Sequence, residues 1–130
     1  YLAHHIFWHQ AMFHLERREH AEVLRLYDTG FRDLSSPLTQ ANPDLYIDVQ
    51  NAASMLFRLE RQGVDVGERW QELADKAEAR IGDCASPFTL PHWMMALCAT
   101  GRLDAARRML DAIRDAGRGN EGEHARILRE

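Results

Sequence analysis

Apolar residues recur at helical spacing along most of the chain, and no stretch shows the alternation expected of a β-strand. The first such stretch covers residues 2–17, where intervals of three, four and one indicate a helix with a broad buried face. Its large apolar residues are Leu2, Ile6, Phe7, Trp8, Met12, Phe13 and Leu15. We therefore predict an all-α fold of about six to seven helices.

Glycine, proline and polar residues divide this pattern into segments. The predicted helices cover residues 2–17, 23–31, 44–62, 66–81, 91–100 and 104–116, and a further one starts at 124–130. Residues 33–43 are predicted to be the longest loop, because Ser36-Pro37 and Asn42-Pro43 are breaker signals, and Asn42 is expected to cap the helix that follows. Gly63 is expected to end the third helix.

The predicted helices pair into three antiparallel hairpins, at about 1–34, 44–81 and 88–116. Their turns are Arg17-Arg18, Gln62-Gly63 and Thr100-Gly101. Repetition of one helix–turn–helix unit is typical of an α-solenoid. The third hairpin has the tetratricopeptide pattern of a turn glycine followed by small residues, and Arg18 stands at the glycine position in the first. We predict one domain, residues 1–130, of hairpins stacked as a tetratricopeptide-like (TPR-like) α-solenoid.

Composition narrows the possible partners and location. The net charge of -4 gives no reason to expect nucleic acid or an anionic membrane as a partner. The apolar runs are too short to span a bilayer, and no signal peptide is visible. The two cysteines, Cys84 and Cys98, form no metal or disulfide framework, which favours a cytoplasmic location and no cofactor. Because the chain starts at Tyr1, within a predicted helix, we expect it to be part of a longer protein.

The segment HHIFWHQAMFHLE, residues 4–16, is rich in histidine. His5 and His9 are four residues apart and share one helix face, as two zinc ligands would. The glutamate that follows the first histidine in HExxH metalloproteases is replaced by Ile6. A metal site would need a third ligand from elsewhere, for which the candidates are His92, Asp48 and Glu16.

Three interpretations of this segment stay open: histidines that pack and hydrogen-bond between helices, a metal site, or a catalytic acid–base pair. The remaining histidines of the first half are predicted to lie at the surface or at a turn. They are His4, His14 and His20.

Arg58 lies on a largely apolar helix, one turn after Ser54. Asp48 precedes it by ten residues, a separation of about 15 Å along a helix, so the two side chains cannot pair directly. Arg58 is expected either to bridge neighbouring helices or to hold an anionic ligand.

Four segments resemble the tetratricopeptide-repeat protein 38 family, in the order in which that family has them. Residues 5–13 match its H-x-x-W-H-x-A-L-F/Y segment, and residues 48–59 match D-x-V-D-A-A-S-x-L-W/Y-R-L. Residues 64–70 are similar to V-x-V-G-x-R-W, and residues 88–97 to F-N-D-x-H-x-M-M-A-L. The resemblance implies the C-terminal part of a larger helical-repeat protein. Asn51 and Leu90 stand where the family has aspartates.

Two functions follow from these observations. We predict a scaffold that binds a protein or peptide partner on its concave surface, an inference from repeat architecture. The alternative is an enzyme, or a small-molecule or metal-binding protein, with a polar pocket between repeats. The candidate site residues are His5, His9, Asp48, Arg58 and His92. The two missing aspartates favour the scaffold, and a homodimer formed through the apolar ends of the array is a further alternative.

Overall fold

Residues 2–118 are described by a computed structural model, and this part of the chain is helical with no strand. The helices are α1 (Leu2–Glu16), α2 (His20–Leu26), α3 (Pro37–Ala41), α4 (Tyr46–Arg61), α5 (Arg69–Ala79), α6 (Leu90–Ala99) and α7 (Leu103–Arg118). A π-helical turn, Tyr27–Phe31, continues α2. The all-α prediction is therefore confirmed for these residues, and the helix predicted at 124–130 lies outside them.

The prediction of one long loop at residues 33–43 is wrong, because α3 forms within it. The Ser36 side chain accepts a hydrogen bond from the Thr39 backbone N–H at 3.1 Å, and Pro37 occupies the first helical position. Serine followed by proline therefore starts this helix, as an N-cap and a first-turn residue with fixed φ. Asn42 ends α3 and does not cap α4, whose N-cap Leu45 has no capping side chain.

The described chain forms two compact units, with the boundary between Gly67 and Glu68. In the first unit α1 packs against α2, the π-helical turn and α4. Side chains that are completely buried in this unit are Ala11, Val23, Phe31, Val49, Ala52, Ala53, Met55, Leu56 and Leu59. Each large side chain in such a core contributes about 1.5–3 kcal/mol of transfer free energy.

The π-helical turn brings the end of α2 close to α1. A Cβ atom at Gly30 would lie 3.1 Å from Cγ and 3.2 Å from Cβ of Phe7, closer than carbon atoms normally pack. The Tyr27 and Phe31 rings, both buried, contact each other edge to face at 5.3 Å between centroids. Glycine thus allows the close approach between α1 and the π-helical turn, because a side chain at position 30 would press against Phe7.

One turn structure recurs at the ends of α1, α4 and α6. In each, a residue with positive φ follows the helix: Arg18 at 56°, Gly63 at 80° and Gly101 at 70°. Its N–H binds the carbonyl three residues earlier, and the next N–H binds the carbonyl five residues earlier. This is the Schellman motif. The predicted role of Gly63 is confirmed, and Arg18 adopts the same backbone conformation as the two glycines.

In the second unit α6 packs against both α5 and α7. The buried side chains of this unit include Trp70, Leu73, Ala74, Ala77, Leu90, Trp93, Ala96, Leu97, Ala105, Ala106, Met109 and Ile113. Several are alanines, which allow helices to approach closely. At the edge, Arg102 bridges Asp75 at 2.7 Å and Gln71 at 3.1 Å, which joins the start of α7 to α5.

The outer face of α1 is apolar and exposed, so the buried face of this helix is narrower than the broad one that its sequence predicted. Leu2 and Ile6 are 64% exposed and Phe13 is 73% exposed. We call these three residues the α1 stripe. They lie on one line because they are separated by four and seven residues. No helix within residues 2–118 is long and apolar enough to cross a membrane.

We expect Arg18→Gly to raise the free energy of unfolding by about 1 kcal/mol, because glycine adopts positive φ without the steric cost that arginine bears. Urea unfolding followed by circular dichroism measures the change. Arg17→Gly is the matched control: it removes the neighbouring arginine without relieving strain, and it should not stabilise. Equal effects of the two substitutions would contradict the turn geometry.

Ser36→Ala should lower the free energy of unfolding by about 1 kcal/mol, since it removes the side-chain cap of α3. Ser36→Asp keeps a capping oxygen and should preserve most of the stability. Thermal unfolding of both variants tests whether α3 depends on its cap. An equal loss of stability in Ser36→Ala and Ser36→Asp would contradict a capping role for Ser36.

Candidate functional site

His5 and His9 face each other on α1, as their spacing predicts. Their Nε2 atoms are 3.1 Å apart, and their rings meet edge to face with centroids 4.5 Å apart. Trp8 completes an aromatic cluster: its ring lies parallel to His5 at 5.8 Å and meets His9 edge to face at 5.1 Å. His9 is exposed and His5 is half-buried, so the pair lies at the surface of the first unit.

Asn51 of α4 fixes the other side of the His5 ring. Its Nδ2 lies 3.3 Å from His5 Nδ1. If the amide donates to Nδ1, the His5 proton resides on Nε2 and is donated to His9. Two imidazoles and one amide thus form a short hydrogen-bonded chain from α4 to the surface.

Arg58 extends this cluster along α4. Its guanidinium donates to the Ser54 carbonyl oxygen at 3.1 Å and also to the Ser54 hydroxyl. The same group lies 5.9 Å from the centre of the Trp8 ring, within range of a cation–π interaction. Arg58 therefore bridges α4 to α1, and it makes no contact with Asp48 on its own helix, consistent with their predicted separation.

Asp48 pairs with His4, one of the histidines that we had predicted to lie at the surface or at a turn. His4 Nδ1 lies 2.9 Å from Asp48 Oδ2, and both residues are less than 5% exposed. The prediction for His4 was wrong because His4 lies seven residues before Ala11 and eleven before Leu15, on the buried face of α1. Asp48 is in the first turn of α4, where the helix dipole favours a negative charge.

Contacts between α1 and α4 advance in the same direction along both helices. His4 contacts Asp48, His5 contacts Asn51, and Trp8 contacts Arg58. The two helices therefore run in the same sense along this contact.

His14 and His20 are half-buried near the first turn, in agreement with the prediction. His20 Nε2 lies 2.7 Å from Gln62 Oε1, and His14 Nδ1 lies 2.6 Å from Glu19 Oε2. The hydrogen bond to His14 lowers the pKa of the Glu19 carboxyl, and the charge of Arg17 lowers it further. Since folding lowers this pKa, the stabilisation is fully present at pH values above the pKa of the carboxyl in the unfolded state. It is lost as the pH falls through the lower pKa of the folded state.

His92 belongs to the second unit, in the first turn of α6. Its Nδ1 donates to the Phe88 carbonyl oxygen at 2.9 Å, and the two rings lie 5.3 Å apart. Over residues 2–118, no three histidine, cysteine, aspartate or glutamate side chains come together as ligands of one metal ion. The candidate site of the first unit is thus the His5–His9 pair with Trp8 and Asn51.

Sequence reasoning missed three members of this arrangement: His4, Asn51 and the Trp8–Arg58 contact. His4 carried a usable signal in its spacing from Ala11 and Leu15. The other two depend on the register between α1 and α4, which no local pattern encodes.

His4→Phe should lower the free energy of unfolding by about 2–4 kcal/mol, because it keeps a ring but leaves a buried carboxylate without its donor. His4→Asn, whose amide can occupy the place of Nδ1, should recover part of the loss. His14→Phe is the matched control on the same helix and should cost far less, since Glu19 can turn to water. Chemical denaturation measures all three, and equal losses at His4 and His14 would contradict a structural role for the buried pair.

Comparisons with known proteins leave this site to be interpreted from its own geometry. No protein-family model matches the chain, and no solved structure matches it. The resemblance to the tetratricopeptide-repeat protein 38 family therefore rests on the quoted segments alone.

Proposed function

We propose that this chain is a TPR-like helical-repeat scaffold that binds a protein or peptide partner, and that it is related to the tetratricopeptide-repeat protein 38 family. The observation that carries the binding role is the α1 stripe. Large apolar side chains aligned on an exposed helix face are uncommon without a partner. In this proposal the stripe is the surface that the partner covers.

The repeat architecture is supported by two features of the backbone. The Schellman motif recurs at Arg18, Gly63 and Gly101, one for each predicted hairpin. The common direction of α1 and α4 along their contact is what stacked hairpins require, since the first helices of successive repeats run in the same direction.

The partner that fits the stripe is an amphipathic helical segment. Leu2 and Phe13 are eleven residues apart, which places the stripe along about 16 Å of α1. A helix with apolar residues at three- and four-residue intervals can lie along such a line. Beside Phe13 there is a shallow depression of about 190 Å³, lined by His9, Met12, Phe13 and Glu16, which offers room for one apolar side chain.

The alternative, a polar pocket built from five residues, receives less support. Asp48 is paired with His4, Arg58 with Ser54, and His92 with the Phe88 carbonyl. Side chains that are satisfied separately are expected of a scaffold. Only His5 and His9 contact each other among the five.

The test replaces Ile6 and Phe13 by glutamate and compares the proteins captured by wild type and variant from a lysate of the source organism. We expect the variant to lose the bound partner at least tenfold, because two charges would be buried against its apolar face. The matched control replaces Leu103 and Leu110 by glutamate, which introduces the same two charges at leucines of the second unit that are 55% and 41% exposed.

Two outcomes would contradict the proposal. One is an unchanged set of captured proteins, confirmed by direct binding of the purified partner. The other is a wild-type dimer that the double substitution converts to a monomer in sedimentation, because the stripe would then be covered by a second copy of this chain.

A further inference from the structure

We propose that His5 and His9 form a two-histidine site for a divalent transition-metal ion that favours imidazole nitrogen, such as Zn²⁺, Ni²⁺ or Cu²⁺. The inference does not depend on the proposed scaffold function, since it rests only on the geometry of α1 and its contact with α4. It concerns this pair and excludes the other candidate site residues.

The distance between the two nitrogens is that of adjacent ligands on one metal ion. Zinc–nitrogen bonds of about 2.0–2.1 Å, at angles between the right angle and the tetrahedral value, place two nitrogens about 2.9–3.4 Å apart. His5 Nε2 and His9 Nε2 are 3.1 Å apart. A metal ion can therefore replace the hydrogen bond between them after each ring turns enough for both lone pairs to point at the ion.

Neighbouring side chains hold the pair in this geometry. The His5 ring is fixed by the parallel Trp8 ring and by Asn51, and the His9 ring by the edge contact with Trp8. Ligand rings that are oriented in advance lose less conformational entropy when a metal binds. His9 is exposed, so an ion reaches the pair from solvent without any opening of the fold.

Proton balance is satisfied within the cluster. Metal binding requires both Nε2 atoms to be free of hydrogen, so the hydrogen between them moves from Nε2 to Nδ1 of the His5 ring. The Asn51 amide then turns over, and its Oδ1 accepts a hydrogen bond from Nδ1–H. The hydrogen stays on the His5 ring, and Asn51 acts as the second partner that ligand histidines normally have.

Two ligands leave the remaining coordination positions to water. His9 is exposed, so solvent supplies these water molecules. Arg58, which lies over Trp8, opposes a cation nearby, so binding is expected to be reversible rather than that of a closed structural site.

The experiment titrates Ni²⁺ into the full chain, prepared without a histidine tag, by isothermal calorimetry. We expect one saturable site whose affinity falls at least tenfold in His9→Gln and in His5→Gln. His14→Gln and His20→Gln are the matched controls and should bind as wild type does. Circular dichroism verifies that each variant is folded. If His5→Gln does not fold, the affinity of His9→Gln for nickel is the result that tests the proposal.

A second readout identifies the ligands. Cu²⁺ bound at one equivalent should show two imidazole nitrogens in its electron paramagnetic resonance spectrum, and one nitrogen fewer in His9→Gln. The proposal is overturned if nickel does not bind, if His9→Gln binds it as tightly as wild type, or if the copper spectrum is the same in both proteins.

Discussion

The first unit depends on the buried pair between His4 and Asp48. Both residues lie in the first turn of their helices, so the pair joins the N-terminal ends of α1 and α4. A carboxylate is costly to bury, and here the histidine and the dipole of α4 both favour its charge. One carboxylate oxygen, Oδ1, is also buried and has no protein hydrogen-bond partner in the described part of the chain. Once the two helix starts are joined, the contacts of His5 and Trp8 with α4 follow from a single register.

This register gives α1 two different faces. The inner face carries His4, Ala11 and Leu15 into the core, while the outer face presents the α1 stripe. His5 and His9 lie on the side of α1 that joins its inner face to its outer face. The two proposals therefore concern neighbouring parts of one helix, but they differ in chemistry: burial of apolar area in one case and nitrogen ligation in the other. A protein partner and a metal ion would compete only if the partner helix covers His9.

The positions of most helices were predictable from the sequence. Which face of a helix is buried, and which side chains pair between helices, could not always be predicted. The apolar spacing located α1 and α4–α7, and the glycines at 63 and 101 marked their turns correctly. The helix α3 was missed because Ser36-Pro37 is typical both of a loop and of the start of a helix. The surrounding structure determines which of the two forms. The buried face of α1 was misassigned because apolar residues surround this helix, so periodicity could not distinguish Phe13 from Leu15. His4 and Asp48 are 44 residues apart in sequence, and their pairing is a property of tertiary packing.

The π-helical turn at Tyr27–Phe31 is equivalent to one residue inserted into an otherwise regular helix. Removing that residue would restore a continuous α-helix and rotate everything after it by about a hundred degrees, the angle between successive residues. Gly30 would then leave Phe7, and a different side chain would meet α1 at the point of closest approach. The chain length of this segment is thus constrained independently of its composition. Substitutions around it are expected to be tolerated in evolution more readily than a single deletion.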